Sequence, residues 1–92
     1  VTVAATTSAH FEICQIMLEN KIHVNVEKPI ATTSEEGRKL CAMAKANNLC
    51  LQVGHVERFN PALIAAQAKL NRPLFIECHR LAPFKPRGMD VN

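Results

Sequence analysis

The chain has 92 residues, so it holds at most one domain, since domains usually run to about 100–150 residues. Hydrophobic residues make up 48% and charged residues 21%, which excludes a disordered tail, a collagen-like chain and a disulfide mini-protein. The net charge of +3 comes from eleven scattered Lys and Arg, and there is no Trp or Tyr to stack on bases, so a nucleic-acid partner is not expected.

No apolar run approaches the length of about 18 residues that spans a bilayer, and no secretory signal pattern is present. Neither a membrane partner nor export is therefore expected. Cys14, Cys41, Cys50 and Cys78 are widely spaced and form no C-x-x-C. Three of them sit in apolar periodic stretches, where a free Cys behaves as a small hydrophobe, so reduced thiols and a cytoplasmic location are expected. The chain opens at Val1 inside an apolar run, as a piece of something longer would.

In chain order, Val1–Ala5 reads as a buried strand running into a turn. Ser8 is placed to cap a helix that continues to about residue 20, with Phe11, Cys14, Met17 and Leu18 on its apolar face. Ile22–Val26 is a second strand, ended by Glu27-Lys28-Pro29 because Pro cannot donate to a ladder. Thr33 followed by Glu36 predicts a capping box, and Gly37, Leu40, Cys41 and Ala44 form the inward stripe of the helix it starts. Asn47 and Asn48 end that helix, and Leu49–Val53 is a third strand stopping at Gly54. Asn60-Pro61 predicts an N-cap with Pro at the first helical position, for a helix to about Leu70. Asn71-Arg72-Pro73 breaks it, and Leu74–Leu81 reads as a fourth strand.

The order β-α-β-α-β-α-β with short turns implies an α/β fold with parallel strands. The first three strands read as apolar runs, as parallel strands covered by helices should. In such a sheet ligands bind beyond the carboxyl ends of the strands. Thr6-Thr7-Ser8 with His10, then Glu27-Lys28, then His55 through Asn60 all fall there. Within this set Lys28 stands out, because Pro29 holds its backbone extended at the rim of the crevice. A lysine there exchanges a proton with a substrate hydroxyl if partly buried. Otherwise it is a solvated lysine or a partner of Glu27. The Lys28-Pro29 bond is open to cis or trans. His10 and Cys14 are one helical turn apart, but no second close pair completes a metal site.

The strand-end Thr6-Thr7 with His10, the Glu27-Lys28-Pro29 turn, and Val53-Gly54-His55-Val56-Glu57-Arg58-Phe59-Asn60-Pro61 occur in this order. With these residues the chain resembles the Gfo/Idh/MocA family of NAD(P)-dependent oxidoreductases, and most of all its nucleotide-sugar 3-dehydrogenase branch. The resemblance implies a three-stranded parallel half of a Rossmann sheet, an incomplete domain. Residues 1–72 correspond to the C-terminal half of the NAD(P)-binding domain, and residues 73–92 to the start of the α/β substrate domain. It further implies that Thr6, Thr7, His10 and Glu27 line the nicotinamide-ribose side of NAD or NADP. Lys28 would touch cofactor and substrate hydroxyl and assist proton transfer. His55, Glu57 and Arg58 would border a pocket for a small sugar-like substrate, with His79 and Arg80 entering from the last strand.

The departures from the family pattern count as well. Gly37, Gly54 and Gly88 form no G-x-G-x-x-G, and no Asp-x-x-x-His follows. The 92-residue chain alone is therefore expected to be inactive. In the Rossmann strand order, the first strand here would be a bare apolar edge, so the chain is expected to pair as an edge-to-edge dimer or other homo-oligomer. The competing reading is a non-catalytic α/β module that binds a partner and no cofactor.

Overall fold

The architecture follows from two strand–helix repeats that end in the same way. A computed structural model describes residues 1–79, 81 and 83, which fall into two units. The first unit, Val1–His55, contains β1 (Thr2–Val3), α1 (Thr7–Glu19), β2 (Val24–Val26), α2 (Ser34–Ala46) and β3 (Leu51–Val53). The three strands are parallel in the order β1-β2-β3, so the α/β class and the parallel half-sheet expected from the sequence are present.

Both helices cover one face of this sheet. Val3, Val24 and Val26 meet Cys14, Leu18, Leu40 and Ala44 in a single core, with Leu51 and Val53 packed against it. Leu18 and Leu40 are fully enclosed, each contributing about 2 kcal/mol by burial. The strands are not uniformly apolar as expected. They alternate, and the register Thr2↔Asn25↔Gln52 aligns three polar side chains on the face away from the helices. Each strand then needs apolar residues on one face only.

The buried stripe of α1 is Thr7, His10, Cys14 and Leu18, so its first half is polar. Phe11 and Met17, expected at its centre, are half-buried beside it. Ser8 does not cap this helix. The cap position is Thr6, whose side chain makes no capping bond and instead shares a hydrogen bond of 3.3 Å with the Ser8 hydroxyl. The capping box of α2 is present: Thr33 Oγ1 accepts the Glu36 N–H, and the Glu36 carboxylate accepts the Thr33 N–H. Gly37, Leu40 and Ala44 face inward, while Cys41 lies just outside the stripe and is exposed. Cys50 and Cys78 are also exposed, so only Cys14 is the small core hydrophobe expected of three. Its burial pushes the thiol above the ordinary cysteine range.

Both helices end in the same motif, which shortens the strands after them. After α1, the Lys21 N–H donates to the Leu18 carbonyl and the Ile22 N–H to the Met17 carbonyl, with Lys21 at φ 61°. After α2, the Asn48 N–H donates to the Lys45 carbonyl and the Leu49 N–H to the Ala44 carbonyl, with Asn48 at φ 54°. These are Schellman caps, so Ile22 and Leu49 close helices rather than open strands. β2 and β3 accordingly begin two residues later than the apolar runs suggest.

The second unit begins at Val56. It holds a 3₁₀ turn (Val56–Phe59) and α3 (Pro61–Gln67), capped as predicted by the Asn60 side chain, which accepts the Ala62 N–H at 2.9 Å. α3 stops short of Leu70, and the chain tightens there into turns. A seven-residue helix without a packed face has little to extend it. The predicted strand Leu74–Leu81 is not formed among the described residues; Leu74, Phe75, Ile76 and Leu81 are exposed. A strand exists only when a neighbour takes up its N–H and C=O groups, and the described part of this unit contains no other strand. Among the described residues, no helix is long and apolar enough to cross a membrane.

Candidate active site at the carboxyl edge of the sheet

Because the three strands are parallel, their carboxyl ends and the turns that follow share one edge. Thr6 follows β1, Glu27 and Lys28 follow β2, and Gly54 and His55 follow β3. Of the three clusters expected to converge, the first two and His55 share this edge of the first unit, whereas residues 56–60 lie in the second unit.

Hydrogen bonds lace the turns together. The Glu27 N–H donates to the Val3 carbonyl at 2.9 Å, and the Gly54 N–H to the Val26 carbonyl at 2.8 Å, so the ladder runs to the rim. The Glu27 carboxylate lies over Gly54, where a Cβ would stand 3.2–3.3 Å from its Oε1, Cδ and Oε2 atoms. A side chain at Gly54 would therefore press on the Glu27 carboxylate rather than strain the backbone. Glu27 Oε2 also accepts the Lys28 N–H at 3.2 Å.

The Lys28–Pro29 peptide bond is cis. Lys28 is exposed and its ammonium makes no ion pair with a described residue. Of the readings left open for it, the solvated lysine is the one present within this unit, and the partial burial that favours proton exchange is not. The expected alternative of a Glu27 ion pair is also absent, since that carboxylate engages the backbone instead.

His10 is 1% exposed. Its Nδ1 lies 2.8 Å from the Pro29 carbonyl and its Nε2 3.1 Å from the Ala5 carbonyl, so neither ring nitrogen faces the open edge. Thr7 is buried beside it, whereas Thr6, Glu27 and His55 are exposed at the edge. Of the other residues expected at the site, Glu57 and Arg58 lie in the 3₁₀ turn of the second unit and are exposed. Glu57 there accepts the Asn60 side-chain N–H at 2.9 Å. His79 pairs with Glu77, also in that unit. Arg80 lies outside the described residues. A cleft of about 300 Å³ opens elsewhere, on the polar face of the sheet between Thr2, His23, Asn25, Cys50 and Gln52, and includes none of the edge residues.

Residues 1–55 match the model of an oxidoreductase family with an NAD-binding Rossmann fold. The chain belongs to the Gfo/Idh/MocA oxidoreductase family. Over 93 aligned residues it is 37% identical to the UDP-N-acetylglucosamine 3-dehydrogenase of Acidithiobacillus ferrooxidans, a match that covers 100% of this chain and 30% of that protein. The crystal structure of that relative superposes with a TM-score of 0.85 over 99% of this chain. A scyllo-inositol 2-dehydrogenase (NAD(+)) of Bacillus subtilis is 30% identical over 71 residues, covering 77% of this chain and 21% of that protein. The Gfo/Idh/MocA chain described here thus spans less than a third of the length of these two relatives. The family-model match ends at residue 55, where the first unit ends, while the match to the UDP-N-acetylglucosamine 3-dehydrogenase runs on through the second unit.

Proposed function

We propose that the protein carrying this chain is an NAD(P)-dependent dehydrogenase acting on a hydroxyl of a sugar, polyol or nucleotide sugar, with Lys28 as its acid/base. One observation carries the reading: a family tripeptide, Glu27-Lys28-Pro29, stands at the carboxyl edge of a parallel sheet between two other polar turns, with an ammonium that makes no ion pair with a described residue. The similarity to a UDP-N-acetylglucosamine 3-dehydrogenase and to an inositol dehydrogenase supports the substrate class.

The donor set at this edge suits the nicotinamide-ribose end of the cofactor. The Thr6 hydroxyl and the Glu27 carboxylate are exposed hydrogen-bonding groups for ribose hydroxyls. The chain contains no glycine-rich cradle for the pyrophosphate. When bound, NAD(P) supplies the hydride acceptor. In the oxidative direction Lys28, in its amine form, accepts the proton of the substrate hydroxyl while the carbon bearing it gives up its hydrogen as hydride and becomes a carbonyl. In the reductive direction the ammonium returns that proton to the oxygen. The four-carbon stem of Lys28 gives Nζ the reach to follow the oxygen.

In this reading residues 1–72 form half of the cofactor domain and residues 73–92 open the substrate domain, with His55, Glu57, Arg58, His79 and Arg80 on the substrate side. The protein works in the cytoplasm. Lys28→Ala and Lys28→Arg in the full-length protein test the assignment. The expected result is a loss of kcat on the order of 10²–10⁴-fold for Lys28→Ala, the usual contribution of a positioned acid/base. Cofactor binding is expected to survive. A Lys28→Ala enzyme with the wild-type rate overturns the assignment, and a full-length protein that binds no NAD(P) favours the non-catalytic module instead.

A further inference from the structure

We propose that His10 is a positioning residue whose imidazole anchors the turn that carries Lys28 to the buried stripe of α1, and so sets where the Lys28 stem leaves the rim. The inference rests on the dehydrogenase reading above. It begins from the stripe of α1. His10 shares that stripe with Cys14 and Leu18, both fully buried, so the packing of the core holds the ring in place. An apolar side chain would satisfy the same stripe. A buried polar ring costs stability unless it is hydrogen-bonded.

Here each ring nitrogen lies within hydrogen-bond distance of a carbonyl. Nδ1 meets the Pro29 carbonyl at 2.8 Å and Nε2 meets the Ala5 carbonyl at 3.1 Å. Carbonyl oxygens only accept, so each contact is completed by an N–H on the ring. The neutral imidazole fills one of them and the imidazolium fills both. Each carbonyl belongs to a different turn of the candidate site, one after β1 and one after β2. Lys28 is bracketed between two anchors: its own N–H is held by Glu27 Oε2, and the carbonyl of the next residue is held by His10 Nδ1. The exposed Lys28 side chain makes no ion pair with a described residue, so its backbone sets where the stem leaves the rim and which region Nζ can reach. His10 links that backbone to the hydrophobic core.

Two variants separate the tethers. In His10→Asn the side-chain amide occupies the place of Nδ1 and keeps a donor for Pro29. In His10→Gln the amide reaches the place of Nε2 and keeps only the Ala5 contact. Both are examined in the full-length protein, at a temperature where circular dichroism shows them folded. Similar losses of thermal stability are expected for the two. His10→Asn is expected to retain kcat within about threefold, whereas His10→Gln loses about 10- to 100-fold, with KM for NAD(P) nearly unchanged, because a misplacement of about 1 Å is that costly. Wild-type kcat in His10→Gln, or equal losses in both variants, overturns the proposal. If Lys28→Ala keeps its rate in the same assay, the acid/base reading itself has failed. If Lys28→Ala is inactive and His10→Gln is not, only the positioning role has failed. A measurement on the unmutated protein needs neither activity nor a variant. Its long-range ¹H–¹⁵N spectrum is expected to show His10 Nδ1 protonated, and an unprotonated Nδ1 overturns the proposal.

Discussion

Gly54→Ala isolates the contact between the second and third turns of the site. The new Cβ would stand 3.2 Å from Glu27 Oε1 and 3.3 Å from Cδ and Oε2, so the carboxylate must give by a few tenths of an ångström. Glu27 is exposed and free to swing aside, so the cost in stability is expected to be about 0.5 kcal/mol or less. The functional cost is larger. The bond from the Lys28 N–H to Oε2 is already 3.2 Å long, and such a shift breaks it. If Glu27 holds a ribose hydroxyl, its displacement removes a charge-assisted hydrogen bond of about 1.5–3 kcal/mol. That corresponds to roughly 10- to 100-fold weaker NAD(P) binding. Calorimetric titration with NAD(P) alongside thermal melting tests both halves. The decisive control is the double mutant. Gly54→Ala acts only through Glu27, so it should weaken binding no further in a Glu27→Ala background. Equal weakening in both backgrounds refutes the reasoning.

Other predictions concern the scaffold. Leu40→Ala empties a fully buried position and is expected to cost about 2–5 kcal/mol, read from the midpoint of urea unfolding; a cost below about 1 kcal/mol would mean Leu40 is not at the core. Glu36 accepts hydrogen bonds from the Thr32 hydroxyl and from the Thr32 and Thr33 N–H groups, the hydroxyl chiefly holding its carboxyl below the ordinary value of 4.5. Because the folded value is the lower one, its stabilisation is present above the unfolded value and is lost as pH falls through the folded one. Glu36→Gln should therefore flatten the acid limb of a melting-temperature profile, and an unchanged limb would exclude this carboxylate. β1 and β3 each have one unpaired edge among the described residues. The 92-residue chain expressed alone is expected to self-associate; a stable monomer at high concentration in sedimentation velocity would show that neither edge pairs.

The elements most legible in the sequence are those set by local chemistry. Thr33 and Glu36 announce their capping box, Asn60-Pro61 its helix start, and Glu27-Lys28-Pro29 the end of a strand, because each depends on contacts a few residues apart. Periodicity is legible too, but apolar spacing alone does not reveal a polar residue on a buried stripe. The spacing of Thr7, His10, Cys14 and Leu18 already puts His10 on the buried stripe of α1, although its polarity suggested the rim. The strand starts are not legible, because Ile22 and Leu49 are apolar whether they pair in a sheet or close a helix.

By itself, then, the sequence determined the alternation of strands and helices as far as α3, the caps at Thr33 and Asn60, and the turn that bears Lys28, since these follow from propensities and bonds between near neighbours. Only the tertiary structure decided that helices cover one face of the sheet and that Glu27 lies over Gly54. It alone decided that the ring of His10 joins the carbonyls of Ala5 and Pro29. Those pairings link residues distant along the chain, and nothing short of the packed core brings them together.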